Sequence, residues 1–155
     1  MKIEIKTSKI SSIPAYQTEG SAAMDLYCIE DVTIFPGETK LISTGISIHI
    51  QDANVAGLII PRSGLGTKGL VLANTIGLID SDYQGELKIA AWNRLGEWEF
   101  DNLECVYAME KGIELKAGDR IAQLMFVPII KAQWSFVEEF SNETERGIGG
   151  FGSTG

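Results

Sequence analysis

The chain has 155 residues, 45% of them apolar and 22% charged, with a net charge of −8 at neutral pH. That length suits one domain with a real core, and no apolar run approaches the ~20 residues that span a bilayer, so no membrane partner is expected. The acidic balance excludes nucleic acid as a partner, since a phosphate backbone needs a basic face, but it leaves room for a small phosphorylated ligand met by a few placed cations or a metal.

The start, MKIEIKTSKI, lacks the apolar core of a signal peptide, which predicts a cytosolic or nuclear protein, or one made in the cytoplasm of a host cell. The pattern that follows is nearly all β. VTIF runs into the Pro-Gly turn PGET, after which KLISTG resumes the extended pattern, and both IEI and ISIHI alternate. There Ile46, Ile48 and Ile50 share one face, which sends His49 and Ser47 to the other, toward solvent. Asp52 to Ala56 reads as a helical turn, as does Met109 to Lys111. AGLIIP, GLVLAN, ELKIAAWN and RIAQLMFVPII are short β-branched runs, each bounded by Gly, Pro, Asn or Asp. Many short strands with regular turns predict an all-β jelly-roll or barrel domain. Cys28 and Cys105 lie in no C-x-x-C pair and read as free thiols, and with His49 the single histidine an ordinary zinc site is not expected.

Four stretches interrupt the alternation. SAAMDLY sets Asp25 among small apolar residues. PRSGLGTKG offers a guanidinium, a hydroxyl and free backbone N–H groups, enough to hold one phosphate, although a surface arginine in an ordinary loop has the same spelling. NTIGLIDSDYQGE carries Asp80 and Asp82 at the turn of an apparent hairpin, on one side by alternation, where a carboxylate can orient a water or simply cap the turn. AGDRIAQL puts Gln123 in an apolar strand, where an inward amide needs a hydrogen-bond partner. The chain closes on RGIGGFGSTG, of which half is glycine.

Taken together and in this order, SAAMDL, PRSGLGTK, GLIDSDYQGE, GDRIAQ and RGIGGFGSTG resemble the five motifs of the trimeric dUTP diphosphatases, or dUTPases, from about Ala15 to the end of the chain. The resemblance implies a distorted jelly-roll or β-barrel domain over residues 1–145, a flexible nucleotide-closing tail over 146–155, and a homotrimer with shared active sites. It implies hydrolysis of dUTP to dUMP and pyrophosphate by water attack on the α-phosphorus, with Mg2+ carried by the triphosphate. Asp80 matches the aspartate that orients that water, with Gln123 beside the α-phosphate and Ser63 at the leaving side. Arg62, Ser63 and Gly64 match the phosphate loop. Tyr83 matches the ring packed under the deoxyribose, which leaves no room for a 2′-hydroxyl. Asn74, Gly77 and Ile79 fall in the stretch that reads uracil, largely through backbone groups. Asp25 matches a residue reaching Mg2+ through water. In the tail, Arg146 would clamp the γ-phosphate, Phe151 would stack on uracil, and Gly152, Ser153 and Thr154 would close around the phosphates. By the same resemblance, PRSG and GDRIAQ come from one subunit, the IDSDY turn from a second and the tail from a third.

Two departures stand out. Met24 occupies a position where many members carry Tyr or Gly. The connection from Leu95 to Gly118 is longer than the family's short turn and contains Trp98, Phe100, Cys105, Val106 and Tyr107, which predicts an extra hairpin arm at about 95–117. Such an arm would pack on its own trimer or meet a protein partner. A dCTP deaminase of the same fold is the nearest rival, but the place of its catalytic glutamate is taken by Ala90. A catalytically idle binding module is the other, and intact Asp80, Arg62, Gln123 and Arg146 argue against it.

Overall fold

A computed structural model of the chain describes residues 1–8, 13–96, 98–101, 104–107 and 112–150, with backbone alone for 98–101 and 104–107. Strand β1 (Glu4–Thr7) is followed by β2 (Met24–Tyr27), β3 (Val32–Ile34), β4 (Thr39–His49) and β5 (Val55–Pro61). One helical turn, α1 (Ser63–Gly66), precedes β6 (Leu70–Leu72), β7 (Gly77–Ile79), β8 (Glu86–Asn93), β9 (Trp98–Asp101), β10 (Glu104–Tyr107), β11 (Ile113–Leu115) and β12 (Arg120–Pro128). Sheet I runs β1-β4-β8-β6 and sheet II runs β2-β12-β5-β7, with two small ribbons, β11-β3 and β10-β9, and every pairing is antiparallel. Among the described residues no strand is shared by sheets I and II, so the jelly roll is a two-sheet sandwich.

Alternation explains the core. In β4, Ile42, Thr44, Ile46 and Ile48 face inward, and in β8 so do Leu87, Ile89, Ala91 and Asn93. Sheet II answers with Leu26, Ile59, Ala122 and Leu124, and the facing rows form one apolar cluster. Each fully buried aliphatic side chain contributes about 1.5–3 kcal/mol. The two polar intruders are satisfied: Thr44 Oγ1 donates to the Leu87 carbonyl, and Asn93 Nδ2 donates to that of Ile34 at 3.0 Å. Cys28 is a buried free thiol whose Sγ lies 2.9 Å from the Lys116 carbonyl, and burial pushes its pKa up.

Several expectations change. Asp52 to Ala56 forms no helical turn: Asp52 Oδ1 accepts from Asn54 N and the Asp52 carbonyl from Val55 N, after which β5 begins. The tight Asx turn and the sheet ladder of Val55–Pro61 win over local helical propensity. PRSGLG, read as a loop, holds the helical turn α1. The stretch from Asn74 to Tyr83 is no hairpin, because β6 pairs with β8 in sheet I while β7 pairs with β5 in sheet II. The chain crosses between sheets there, through a turn in which Thr75 adopts φ 61°. His49 is half-buried, not simply solvated, with Nδ1 3.6 Å from Glu4 Oε2 across the β1–β4 ladder. The hairpin arm is present as backbone, β9 pairing Trp98↔Tyr107 and Asp101↔Glu104 with β10. Met109 to Lys111, and the side chains of Trp98, Phe100, Cys105, Val106 and Tyr107, lie outside the described residues.

Candidate active site

Strand register assembles the first half of the site. Asp25 on β2 stands opposite Gln123 on β12, and Gln123 stands opposite Ile60 on β5, two residues before Arg62. These positions face away from the core, while their neighbours Leu26, Leu124 and Ile59 face into it. The outward residues line a cleft of about 390 Å³ with Gln17, Ser21, Arg120 and Met125. A register shift between Arg120 and Ala122 marks a bulge at the start of β12, and Arg120 reaches Asp25 from there.

The electrostatics of this cleft centre on one carboxylate. Asp25 is 3% exposed, with Arg62 Nε 3.0 Å from Oδ1 and Arg120 Nη1 3.4 Å from Oδ2. Arg62 also donates through Nη1 to the Arg120 carbonyl at 3.2 Å, which fixes its guanidinium across the cleft. The Arg62–Asp25 contact is an ion pair without a well-directed hydrogen bond, since Oδ1 is buried with no hydrogen-bond donor. Two cations against one anion make this cleft locally positive on an acidic protein. Ser63 and Gly64 begin α1 directly after Arg62 and are exposed, and a Cβ added at Gly64 would meet nothing within 4 Å.

The second half lies at the seam between the sheets. Gly77 on β7 packs so close to Ile59 that a Cβ there would stand 3.1 Å from the Ile59 Cβ. Asn74 is exposed in the turn before it, its carbonyl accepting from Ile76 N at 2.7 Å. Ile79 packs against the core, and β7 ends there. Asp80 to Tyr83 is therefore a turn, closed by Tyr83 N donating to the Asp80 carbonyl at 3.2 Å, and strand alternation does not govern Asp80 and Asp82. Both aspartates border a cleft with Ser81, His49 and Lys131, while Asp80 also faces a second cleft with Ile79, Tyr83 and Leu78. Tyr83 is 45% exposed and its hydroxyl donates to the Glu86 carbonyl at 3.1 Å.

Within one chain, then, Asp25, Arg62 and Gln123 share one cleft and Asp80 and Tyr83 share another. Arg146 lies in the exposed stretch beyond β12, its Nε donating to the Gly149 carbonyl at 2.9 Å. Phe151, Gly152, Ser153 and Thr154 fall outside the described residues. Arg120 received no role from the sequence, although it stands within the GDRIAQ stretch. The available signal was Asp25, a carboxylate in an apolar strand that needs cationic partners once buried. Among the described residues no three His, Cys, Asp or Glu side chains converge as a metal site.

A family model described as dUTPase matches residues 9–100 and 104–155. The chain belongs to the dUTPase family. The five motifs therefore point to the right family and to its enzyme class, a dUTP diphosphatase. A deoxyuridine 5′-triphosphate nucleotidohydrolase of Haemophilus influenzae is 49% identical over 162 aligned positions, covering 99% of this chain and 97% of that one. One from Idiomarina loihiensis is 53% identical over 146, covering 92% and 87%. Among solved structures, a Staphylococcus bacteriophage 80alpha dUTPase with dUPNHPP superimposes with a TM-score of 0.85 at 29% identity, covering 99% of this chain and 98% of the other. A dUTPase of phage phi11, described with a structural Mg(II) ion, gives a TM-score of 0.77 at 26% identity over 92% of this chain and 100% of its own.

Proposed function

We propose that this chain hydrolyses dUTP to dUMP and pyrophosphate, which keeps uracil out of DNA and supplies dUMP for thymidylate synthesis. The observation that carries the reading is the pair of guanidiniums, Arg62 and Arg120, converging on buried Asp25 beside Gln123: a placed cationic cleft for a polyphosphate on a protein of net charge −8. Binding phosphate draws Arg62 outward as a fork, with the Ser63 hydroxyl and the Gly64 backbone beside it. Gln123 positions the α-phosphate. Asp80 orients the attacking water and accepts its proton, and positioning supplies most of the rate. Asn74, Gly77 and Ile79 hold uracil, with Tyr83 under the sugar.

A metal bound directly by Asp25 does not fit, because two cations already face its carboxylate. A Mg2+ carried by the substrate's phosphates does fit: Asp25 Oδ1 has no hydrogen bond and can accept one from a metal-bound water once Arg62 turns to phosphate. When bound, the ion neutralises charge on the phosphate oxygens.

The two clefts of one chain meet, in this reading, across a homotrimer in which each site combines the Arg62 cleft of one subunit with the Asp80 turn of a second. The third contributes its tail, residues 146–155, with Arg146 on the γ-phosphate, Phe151 on uracil and Gly152, Ser153 and Thr154 around the phosphates. Support comes from residues beyond β12, where Ile130, Trp134, Phe136 and Phe140 are 88–97% exposed in a single chain. Apolar area of that kind marks an interaction surface. The test is pyrophosphate release with Mg2+ over dUTP, UTP, dCTP and dTTP. Turnover of dUTP alone is expected, and ammonia release from dCTP would overturn the reading in favour of deamination.

A further inference from the structure

Gly85 sits in the GLIDSDYQGE stretch with no role of its own so far. Its φ is outside the left-handed region, so the backbone does not demand glycine there. Space does. A Cβ at Gly85 would stand 2.5 Å from Tyr83 Cζ and 2.9 Å from Cε2, closer still to the hydroxyl, and its three nearest neighbours are all atoms of that one side chain. At Gly64, by contrast, the same atom would meet nothing.

Tyr83 is thus seated on bare backbone. One side of its phenol rests on Gly85, its hydroxyl is tied to the Glu86 carbonyl, and the 45% that remains exposed faces the cleft shared with Asp80. Glu86 is itself anchored, Oε1 accepting from Gly45 N at 2.8 Å, so the seat is continuous with the β4 bulge in sheet I. We infer that Gly85 is a positioning residue for sugar selectivity: its missing side chain sets the depth of the Tyr83 ring, and that depth sets the room left for a 2′-hydroxyl. The inference rests on the dUTP-hydrolase reading. A methyl group at Gly85 displaces the ring, which swings on its own rotatable bonds, and the fold itself is spared because no backbone atom is among those nearest neighbours.

The experiment compares wild type, Gly85→Ala, Tyr83→Ala and the Tyr83→Ala/Gly85→Ala double variant. It reads kcat/KM for dUTP and for UTP, the melting temperature, and the ring resonance of Tyr83 in 13C-tyrosine-labelled protein, assigned by its loss in Tyr83→Phe. Gly85→Ala should fold, shift that resonance, and change the UTP-to-dUTP ratio of kcat/KM by roughly tenfold or more. In the Tyr83→Ala background the same substitution should leave the ratio where it was, since the ring it acts through is gone. An unchanged ratio in Gly85→Ala, an unmoved resonance, or a single variant that fails to fold would each overturn the inference. A wild type inactive on dUTP is a separate failure, of the hydrolase reading.

Discussion

Arg62 Nε lies 3.0 Å from Asp25 Oδ1, yet the two residues differ sharply in their access to water. The Asp25 side chain is 4% exposed, against 27% for Arg62 and 47% for Arg120, which closes the cluster from the other side. Removing the anion leaves two cations that can hydrate. Removing both cations strands a buried carboxylate. Asp25→Asn should therefore cost about 1–2 kcal/mol, and the double variant Arg62→Met/Arg120→Met about 3–5 kcal/mol. Urea denaturation measures both, and the opposite order would refute this account of the cluster.

Asp80→Asn keeps the shape of the turn and removes the proposed base. Turnover of dUTP should fall on the order of 10²–10⁴-fold with KM little changed. Steady-state pyrophosphate release checks it, and a variant at wild-type rate would remove Asp80 from the mechanism.

A chain ending at Glu145 lacks Arg146 and everything beyond it. It should melt and sediment like the full chain while losing on the order of 10²-fold in kcat/KM, the scale of one lost transition-state donor or clamp. Equal turnover in the two chains would show the tail to be idle.

Acid should weaken two loops in a defined direction. The Ala117 N–H, 2.9 Å from Asp31 Oδ1, and then Lys116 hold the Asp31 pKa below its ordinary value. The Phe35 N–H, followed by Lys40, does the same for Glu38. Both shifts are downward, so both carboxylates contribute stability that is present above the ordinary carboxylate range, near pH 4, and lost as pH falls through it and below. Melting temperatures taken from pH 7 down to pH 3 should show Asp31→Asn converging on wild type at the acid end. A gap that persists there would mean the contribution of Asp31 is not ionic.

At working concentrations sedimentation should give a trimer, and the melting temperature should rise with protein concentration. A monomer would undo the shared site. Deleting residues 97–111, whose strands β9 and β10 pair only with each other among the described residues, should leave turnover intact.

What could be read without coordinates was local. The rows Ile42–Ile48 and Leu87–Ala91 alternate because one face of each strand meets the core, and period two is visible in the letters. The family followed from five motifs, which need no folding to be recognised. The crossing of residues 74–83 was not legible, because whether β7 chooses β5 or β8 depends on sheet order, a non-local matter. Arg120 was missed for a similar reason: a bulge that no residue announces brings it to Asp25. The letters give Gly85 no distinction from the chain's other glycines, and only the Tyr83 ring against it sets it apart.

The crossing has a mechanical consequence. Asp80 follows directly on β7 in sheet II, whereas Tyr83 is tied through Glu86 to β8 in sheet I, and the Tyr83 N–H to Asp80 carbonyl bond joins the two. Ser81 and Asp82 stand between them, and this short turn acts as a gauge of the gap between the two sheets. A methylene removed from deep in the sandwich, as in Ile89→Val or Leu124→Val, should register in the offset between carboxylate and phenol ring through any change it makes in sheet spacing. Under the role proposed for Tyr83, sugar selectivity is then a second reporter, beside melting temperature, of how well the core is filled.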